Sequence, residues 1–184
     1  MVYPEQTDPI QEARLGNTAA IGAIYEKYHL TIYRYLYYRT GDVHTAEDLT
    51  SEVFIRMIRS LPNYRPQEVP FLAWLFQIAR NLSIDYYRSA GSVRTLPMEE
   101  SLPAGNDDPT RAVDRRLTSQ KLLEALRRLN DDQRDVIVLR FVAGMPIAEV
   151  AEAMNRSEDA IKGLQRRALI VLRHILSEWE ISYA

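Results

Sequence analysis

Residues 146–173 read PIAEVAEAMNRSEDAIKGLQRRALIVLR. Proline suits the first position of a helix, where its missing N–H has no partner to lose, so a short helix is expected over 146–154. Asn155 accepts a positive φ more readily than any residue except glycine, which fits it to a tight turn over Asn155-Arg156-Ser157. Ser157 is placed to cap the helix that follows. That helix carries an inward stripe at three- and four-residue spacing, Ile161, Leu164, Ala168, Val171/Leu172 and Ile175, and an outward face with Lys162, Arg166, Arg167 and Arg173. Small side chains such as Ala151 let the two helices approach closely. A short helix, a tight turn and a longer basic helix form the helix-turn-helix pattern, whose second helix places its N-terminal end in the major groove of DNA. Phosphates there call for cations and exposed amides, and base edges call for forked or bidentate side chains, which Gln165, Arg166 and Arg167 supply. An ordinary helical hairpin satisfies the same spacing, so the rest of the chain has to decide.

Upstream of this stretch, a helix is expected near 115–129. Asn130-Asp131 caps another, containing Val136, Ile137, Leu139 and Phe141 and ended by Gly144. Before these lies GSVRTLPMEESLPAGNDDPTRAVD (91–114), with three prolines, two glycines and five acids but no sustained period, which reads as an irregular acidic linker. The N-terminal part is again helical. Asn17 or Thr18 opens a helix through Ile21, Ile24/Tyr25, Tyr28, Ile32 and Tyr35/Leu36, and Gly41 stops it. Thr45-Ala46-Glu47-Asp48 resembles a capping box for a helix bearing Leu49, Val53 and Met57, extended by Phe54, Ile58 and Leu61, that ends at Pro62. After the loop NYRPQEVP (63–70), a third helix turns Phe71/Leu72, Leu75, Ile78/Ala79 and Leu82 inward. The fold expected is all-α, with two small helical domains joined by an irregular linker, and no stretch has the period of a strand.

Composition narrows the chemistry. The 184 residues include no cysteine, which excludes disulfides, thiolate metal sites and cysteine nucleophiles. The three histidines lie far apart and form no HExxH, and the seven glycines never fall into a phosphate-cradling loop. No apolar run reaches membrane-spanning length, and MVYPEQTDPI lacks the regions of a secretory signal. A cytoplasmic protein without metal, cofactor, small-molecule substrate or membrane insertion is expected, and not an enzyme. The net charge of −2 hides an uneven distribution: residues 91–114 carry 2 basic and 5 acidic side chains, and residues 115–184 carry 12 and 10. Twenty of the 23 basic residues are arginine, the residue whose planar fork matches phosphates and guanine edges.

The stretches AEDLTSEVFIRMIRSL (46–61) and FLAWLFQIARNLSIDYYR (71–88) resemble region 2 of the bacterial sigma-70-family sigma factors. The stretch LNDDQRDVIVLRFVAGMPIAEVAEAMNRSEDAIKGLQRRALIVLR (129–173) resembles region 4. With only the linker between them, the chain resembles an extracytoplasmic-function (group IV) sigma factor over most of residues 10–178. This likeness implies region 2 over 8–90, a linker over 91–114 and region 4 over 115–178. It also implies RNA polymerase core and promoter DNA as partners, with an anti-sigma factor as the usual inhibitor.

By the same resemblance, Asp48, Glu52 and Arg56 meet the β′ clamp helices, although Ser51 stands where the family often has glutamine. The −10 element falls to Tyr64, Arg65, Arg80, Asn81, Tyr87 and Arg88. A melted base needs an aromatic surface or a pocket with polar edges, with cations along the backbone path. Trp74 reads as core. Tyr86 and Tyr87 diverge by about 100° as adjacent helical residues, so one of them is expected to face solvent. The −35 element falls to Arg156, Ser157, Lys162, Gly163, Gln165, Arg166 and Arg167, and region 4 also meets the β flap. Arg156 departs from the apolar residue usual in the turn, and Leu164-Gln165 from the commoner Arg-Leu order. A stand-alone helix-turn-helix regulator that binds an operator without polymerase is the rival reading.

Overall fold

In a computed structural model of the protein, residues 8–89 and 120–182 are described, and every regular element among them is helical. The linker expected over 91–114, and the start of the helix expected from 115, lie outside the described residues. In chain order the elements are α1 (Pro9–Arg14), α2 (Thr18–Thr40), α3 (Val43–Ser60), a 3₁₀ turn (Leu61–Asn63), α4 (Phe71–Ser89), α5 (120–127), α6 (Asp131–Ile137), continued by a π turn (Val138–Val142), α7 (Ile147–Met154) and α8 (Glu158–Ser182).

The helix ends are set locally. Asn17 accepts from the amides of Ala19 and Ala20 and opens α2. Gly41 closes it at φ 74°, in the left-handed region that costs glycine nothing. A Cβ at Gly41 would also stand 2.7 Å from the guanidinium of Arg127, which would have to swing aside. The start of α3 differs from expectation. Asp42, not Thr45, is the cap, and its carboxylate accepts from the Thr45 amide at 2.7 Å. An aspartate three residues earlier satisfies the same donor and leaves Thr45 inside the first turn. Asn130 and Gln133 form a full capping box on α6, and Pro146 sits one place before α7 rather than in it.

α2, α3 and α4 bundle around Ile32, Leu36, Val53, Met57, Leu75 and Phe76, all fully buried, and α1 closes one end against α2. Ile58 does not join them: it is 45% exposed, as is Ile55 at 42%, because the inward stripe of α3 runs through Val53, Phe54 and Met57 instead. In the second lobe, α5 to α8 close over Leu126, Leu139, Met145 and Ile161. Phe141 stays 57% exposed in the π turn, outside that core.

The two lobes meet, and a single apolar cluster runs through both. α7 packs on α4, and α6 with its π turn packs on α2. Two helix ends find partners across the joint. The Gln77 amide donates to the Glu152 carbonyl near the end of α7 at 2.7 Å. The buried Arg134 donates to the carbonyls of Leu126, Leu129 and, across the joint, Arg39, which answers acceptors left open where α5 and α2 end.

The Asp42 cap is testable. Thr45, through its side chain and its amide, holds the Asp42 carboxyl below the ordinary aspartate value. Because the folded value lies under the unfolded one, this stabilisation is fully present above the ordinary carboxyl pKa and disappears as pH falls through the lowered value. Asp42→Ala is expected to lower stability by about 1 kcal/mol at neutral pH. Urea unfolding of both chains should show that gap closing in acid.

Candidate nucleic-acid and polymerase interfaces

The turn between α7 and α8 has the geometry that its residues demand. Asn155 sits at φ 52°, ψ 53°, its amide donating to Glu152 at 3.2 Å, and the Arg156 amide closes on Ala151 at 2.9 Å. Ser157 Oγ accepts from the Ala160 amide at 3.2 Å and starts α8. The expected stripe is in place, with Ile161, Leu164, Ala168 and Ile175 buried, so α8 presents its other face to solvent.

That face is not uniformly cationic. Lys162 is tied to Asp159 at 3.1 Å and Glu158 at 3.8 Å. These two acids complement the positive end of the helix dipole but oppose a phosphate placed there. Arg166 and Arg167, just over one turn further on, are exposed and make no ion pair among the described residues. Gln165 is half-buried, and its side-chain oxygen accepts from Arg140 Nε at 3.2 Å, so it works inside the lobe. Gly163 lies between the two zones. A Cβ there would touch nothing closer than the Arg167 guanidinium, at 3.4 Å, so nothing inside the chain requires glycine. Arg156 is exposed and reaches Asp132 at 2.5 Å.

In the first lobe the expected −10 residues divide. Arg65, Asn81 and Arg88 are exposed, with Arg65 paired to Glu68 at 3.2 Å. Tyr64 is not on the surface. Its ring is buried against Phe71 and Trp74 and its hydroxyl donates to the Val69 carbonyl at 2.7 Å, so it pins the loop over 63–70 from inside. Trp74 is half-buried in that same cluster, in keeping with a core role. Neither Tyr86 nor Tyr87 faces solvent outright. Their divergence takes them to different neighbours: Tyr86 Oη lies 3.4 Å from Thr45 Oγ1 on α3, and Tyr87 donates to the Arg39 carbonyl on α2 at 2.9 Å. Burial raises the Tyr87 phenol and keeps it a donor.

Arg80 is engaged across the joint. Its Nε donates to Asp135 at 3.1 Å and its Nη2 to Asp132 at 3.0 Å. Asp135 is fully buried and also accepts from Tyr35 Oη at 3.0 Å and from Arg39, which in turn donates to Ser83 at 2.5 Å. Burial pushes the Asp135 carboxyl up, against the downward pull of Arg39 and Arg80. Both of its oxygens face donors, the arrangement of a carboxylate. Sequence reading singled out neither Arg39 nor Asp135; a charged residue embedded in an apolar helix run was the available signal.

The third surface is the outer face of α3. Asp48 is exposed, and Glu52 pairs with Arg56 at 2.9 Å in the i, i+4 geometry, each half-open to water. Exposed Ile55 and Ile58 lie among them, which makes the face mixed apolar and charged. Among the described residues there is no group of side chains suited to a metal ion, and no helix is long and apolar enough to cross a membrane.

With this geometry in place, comparison with known proteins decides the family. Residues 24–93 match the family described as Sigma-70 region 2, and residues 125–174 match Sigma-70, region 4. The ECF RNA polymerase sigma factor BldN of Streptomyces coelicolor is 40% identical over 171 residues, which take in 92% of this chain and 65% of that protein, so the chain spans just under two thirds of that relative. The ECF RNA polymerase sigma factor SigX of Bacillus subtilis is 33% identical over 160 residues, covering 82% of this chain and 80% of SigX. Among solved structures, CnrH in complex with the cytosolic domain of CnrY superposes with a TM-score of 0.73 at 24% identity, covering 92% of this chain and 96% of CnrH, which shows the shared fold. The chain belongs to the extracytoplasmic-function sigma factors of the sigma-70 family.

The helix-turn-helix corner makes its own prediction. Asn155→Ala places a Cβ-bearing residue with no helpful side chain in the left-handed region and should cost about 1 kcal/mol, whereas Asn155→Gly should leave stability nearly unchanged. Chemical denaturation of the two variants beside the parent chain checks this.

Proposed function

We propose that this chain binds bacterial RNA polymerase core and directs it to promoters, its first lobe recognising and helping to melt the −10 element while its second reads the −35 element. The observation that carries this reading is the succession on one chain of a region 2 match and a region 4 match, the second holding an exposed basic recognition helix. Working boundaries are 8–90 for region 2, 91–114 for the linker and 115–178 for region 4. A stand-alone regulator of operators has no use for region 2, so that rival reading loses its support. The protein acts in the cytoplasm without a cofactor or small-molecule substrate and catalyses no reaction of its own. An anti-sigma factor is its inhibitor.

At the −35 element, Arg166 and Arg167 are the best-placed readers, since both are exposed and pair with no carboxylate among the described residues. Ser157 and Gly163 permit close approach of the helix N-terminus, and Arg156 and Lys162 reach phosphates after giving up their present carboxylates. Gln165 contributes by holding Arg140 and thus the tilt of α8. At the −10 element, Asn81 offers a base-reading amide and Arg65 and Arg88 offer cations, with Tyr64 shaping the capture loop from within, while Arg80 and Tyr87 reach DNA only after giving up the α6 carboxylates and the Arg39 carbonyl. Asp48, Glu52 and Arg56 dock on the β′ clamp helices, with Ile55 and Ile58 as the apolar anchors of that face. Region 4 meets the β flap.

Run-off transcription over a promoter library, with core polymerase and this protein together and apart, tests the reading. Transcripts starting only when both are present are expected, and operator binding by the protein alone with no new start sites would sink it. Two variants sharpen the outcome. Arg166→Ala should weaken recognition at one −35 base pair by about 1–3 kcal/mol. Gly163→Ala should stabilise α8 by up to about 1 kcal/mol while lowering promoter use, because the added methyl meets nothing closer than the Arg167 guanidinium within the chain but stands where DNA would approach.

A further inference from the structure

Arg140 stands half-buried on the π turn (Val138–Val142) that continues α6. Its Nε donates to the Gln165 side-chain oxygen on α8 at 3.2 Å, and its Nη1 donates to the carbonyl of Met145, the residue before the cap of α7. One planar guanidinium thus joins the entry of α7 to the side of the recognition helix. Its fork is rigid, so both bonds form together at one mutual orientation of the two helices. The turn that carries Arg140 is itself tied down. The Ala143 amide donates to the Val138 carbonyl and the Met145 amide to the Leu139 carbonyl, each at 3.0 Å.

The apolar contacts of α8 leave such a tie something to do. Ile161, Leu164 and Ala168 are buried, but apolar burial is non-directional and Ala168 ends at a methyl. This stripe therefore resists lifting α8 away more than it resists turning α8 about its own axis. At about 100° per residue, Gln165 falls on the flank of the stripe and Arg166 almost opposite its centre. A bond on the flank has the leverage to stop that rotation, and Arg166 moves with it. Recognition needs a reading group held to within about 10–20° by the packing and hydrogen bonds around it. We infer that Arg140 is a positioning residue for −35 recognition: through Gln165 it fixes the rotation of α8 and so aims Arg166 at its base pair, without touching DNA itself. The DNA half of this inference rests on the sigma-factor reading, whereas the tie among Arg140, Gln165 and Met145 does not.

Arg140→Met and Gln165→Met remove the bond from either side, and a double variant combines them. With core polymerase, each should narrow the preference for promoters with an intact −35 element over the same promoters with a substituted one. The expected loss is about fivefold or more, the low end of what one misplaced bidentate pair costs. The double variant should be little worse than Arg140→Met, because the two residues act as a unit. Gln165→Glu keeps an oxygen for Arg140 and should retain the preference. The slope of promoter binding against salt should stay at the parent value in Arg140→Met. A slope lower by about one would make Arg140 a direct phosphate ligand and overturn the inference, as would an unchanged preference in both single variants. If Arg140→Met fails to fold, Gln165→Met decides, since it leaves the Met145 bond in place.

A second measurement needs no DNA. The chain has no cysteine, so Ala148→Cys on α7 and Ser177→Cys on α8, both at exposed positions, take a pair of nitroxides. Electron–electron dipolar spectroscopy on the full chain then reads the spread of distances within the second lobe. The spread should be narrow in the parent and broader in Gln165→Met, and equal spreads would sink the tie. If the spread broadens but the parent gives no promoter-dependent transcript, the tie stands and the sigma-factor reading falls. If parent transcripts depend on the −35 element and neither Arg140 nor Gln165 affects that dependence, the sigma-factor reading stands and the positioning role falls.

Discussion

A carboxylate shut away from water must be answered by cations, and here the carboxylate is Asp135. It is fully buried, and the groups that answer it, Tyr35, Arg39 and Arg80, all belong to the other lobe. Removing two opposite charges from water costs several kcal/mol per ion, and their mutual attraction repays this only when the geometry is good and the remaining hydrogen-bond sites are filled. Those conditions are met: Ser83 accepts from Arg39 Nε, Tyr87 and Arg134 donate to the Arg39 carbonyl, and Asp132 takes the far side of Arg80. Burial also pushes the Tyr35 phenol well above its ordinary value, so it remains a neutral donor. The placement of region 4 on region 2 therefore follows from a polar network rather than from apolar area alone.

Much of this fold was legible because its signals are local. The positive φ at Asn155, the serine cap of α8, Gly41 at the end of α2 and the asparagine cap of α6 all depend on residues within four positions of one another. Where two local signals competed, the reading slipped: Asp42 and Thr45 both suit a cap, and the aspartate took it. Stripe membership was less secure at its margins, since Ile58 fits a helical period yet lies outside the packed face. The joint could not be read at all. Arg39 and Asp135 are 96 residues apart, and only the tertiary fold brings them together.

The candidate sites were legible to a smaller degree, for a related reason. Residue type announces what a side chain can do, whereas its partners decide whether it is free to do it. Lys162, Arg166 and Arg167 look alike in the sequence, but the first is neutralised by Glu158 and Asp159 and the other two are open. Tyr64, expected at the −10 element, has its ring buried and its hydroxyl on the Val69 carbonyl, so it acts as an internal pin that gives its loop its shape. Adjacent tyrosines on a helix must diverge, yet divergence led Tyr86 and Tyr87 to two packed neighbours because α2 and α3 flank α4 on both sides there.

The near-neutral total charge takes on a meaning once these pairings are seen. Duplex DNA is held largely by counterion release, which scales with the number of phosphates neutralised. A chain whose cations are matched almost one for one by acids has few to spare in either lobe, and the joint engages Arg39, Arg80 and Arg134. For the function proposed above, tight promoter binding then cannot come from one lobe. It has to come from holding two weak readers at the spacing of their DNA elements, where engagement of the first raises the effective concentration of the second.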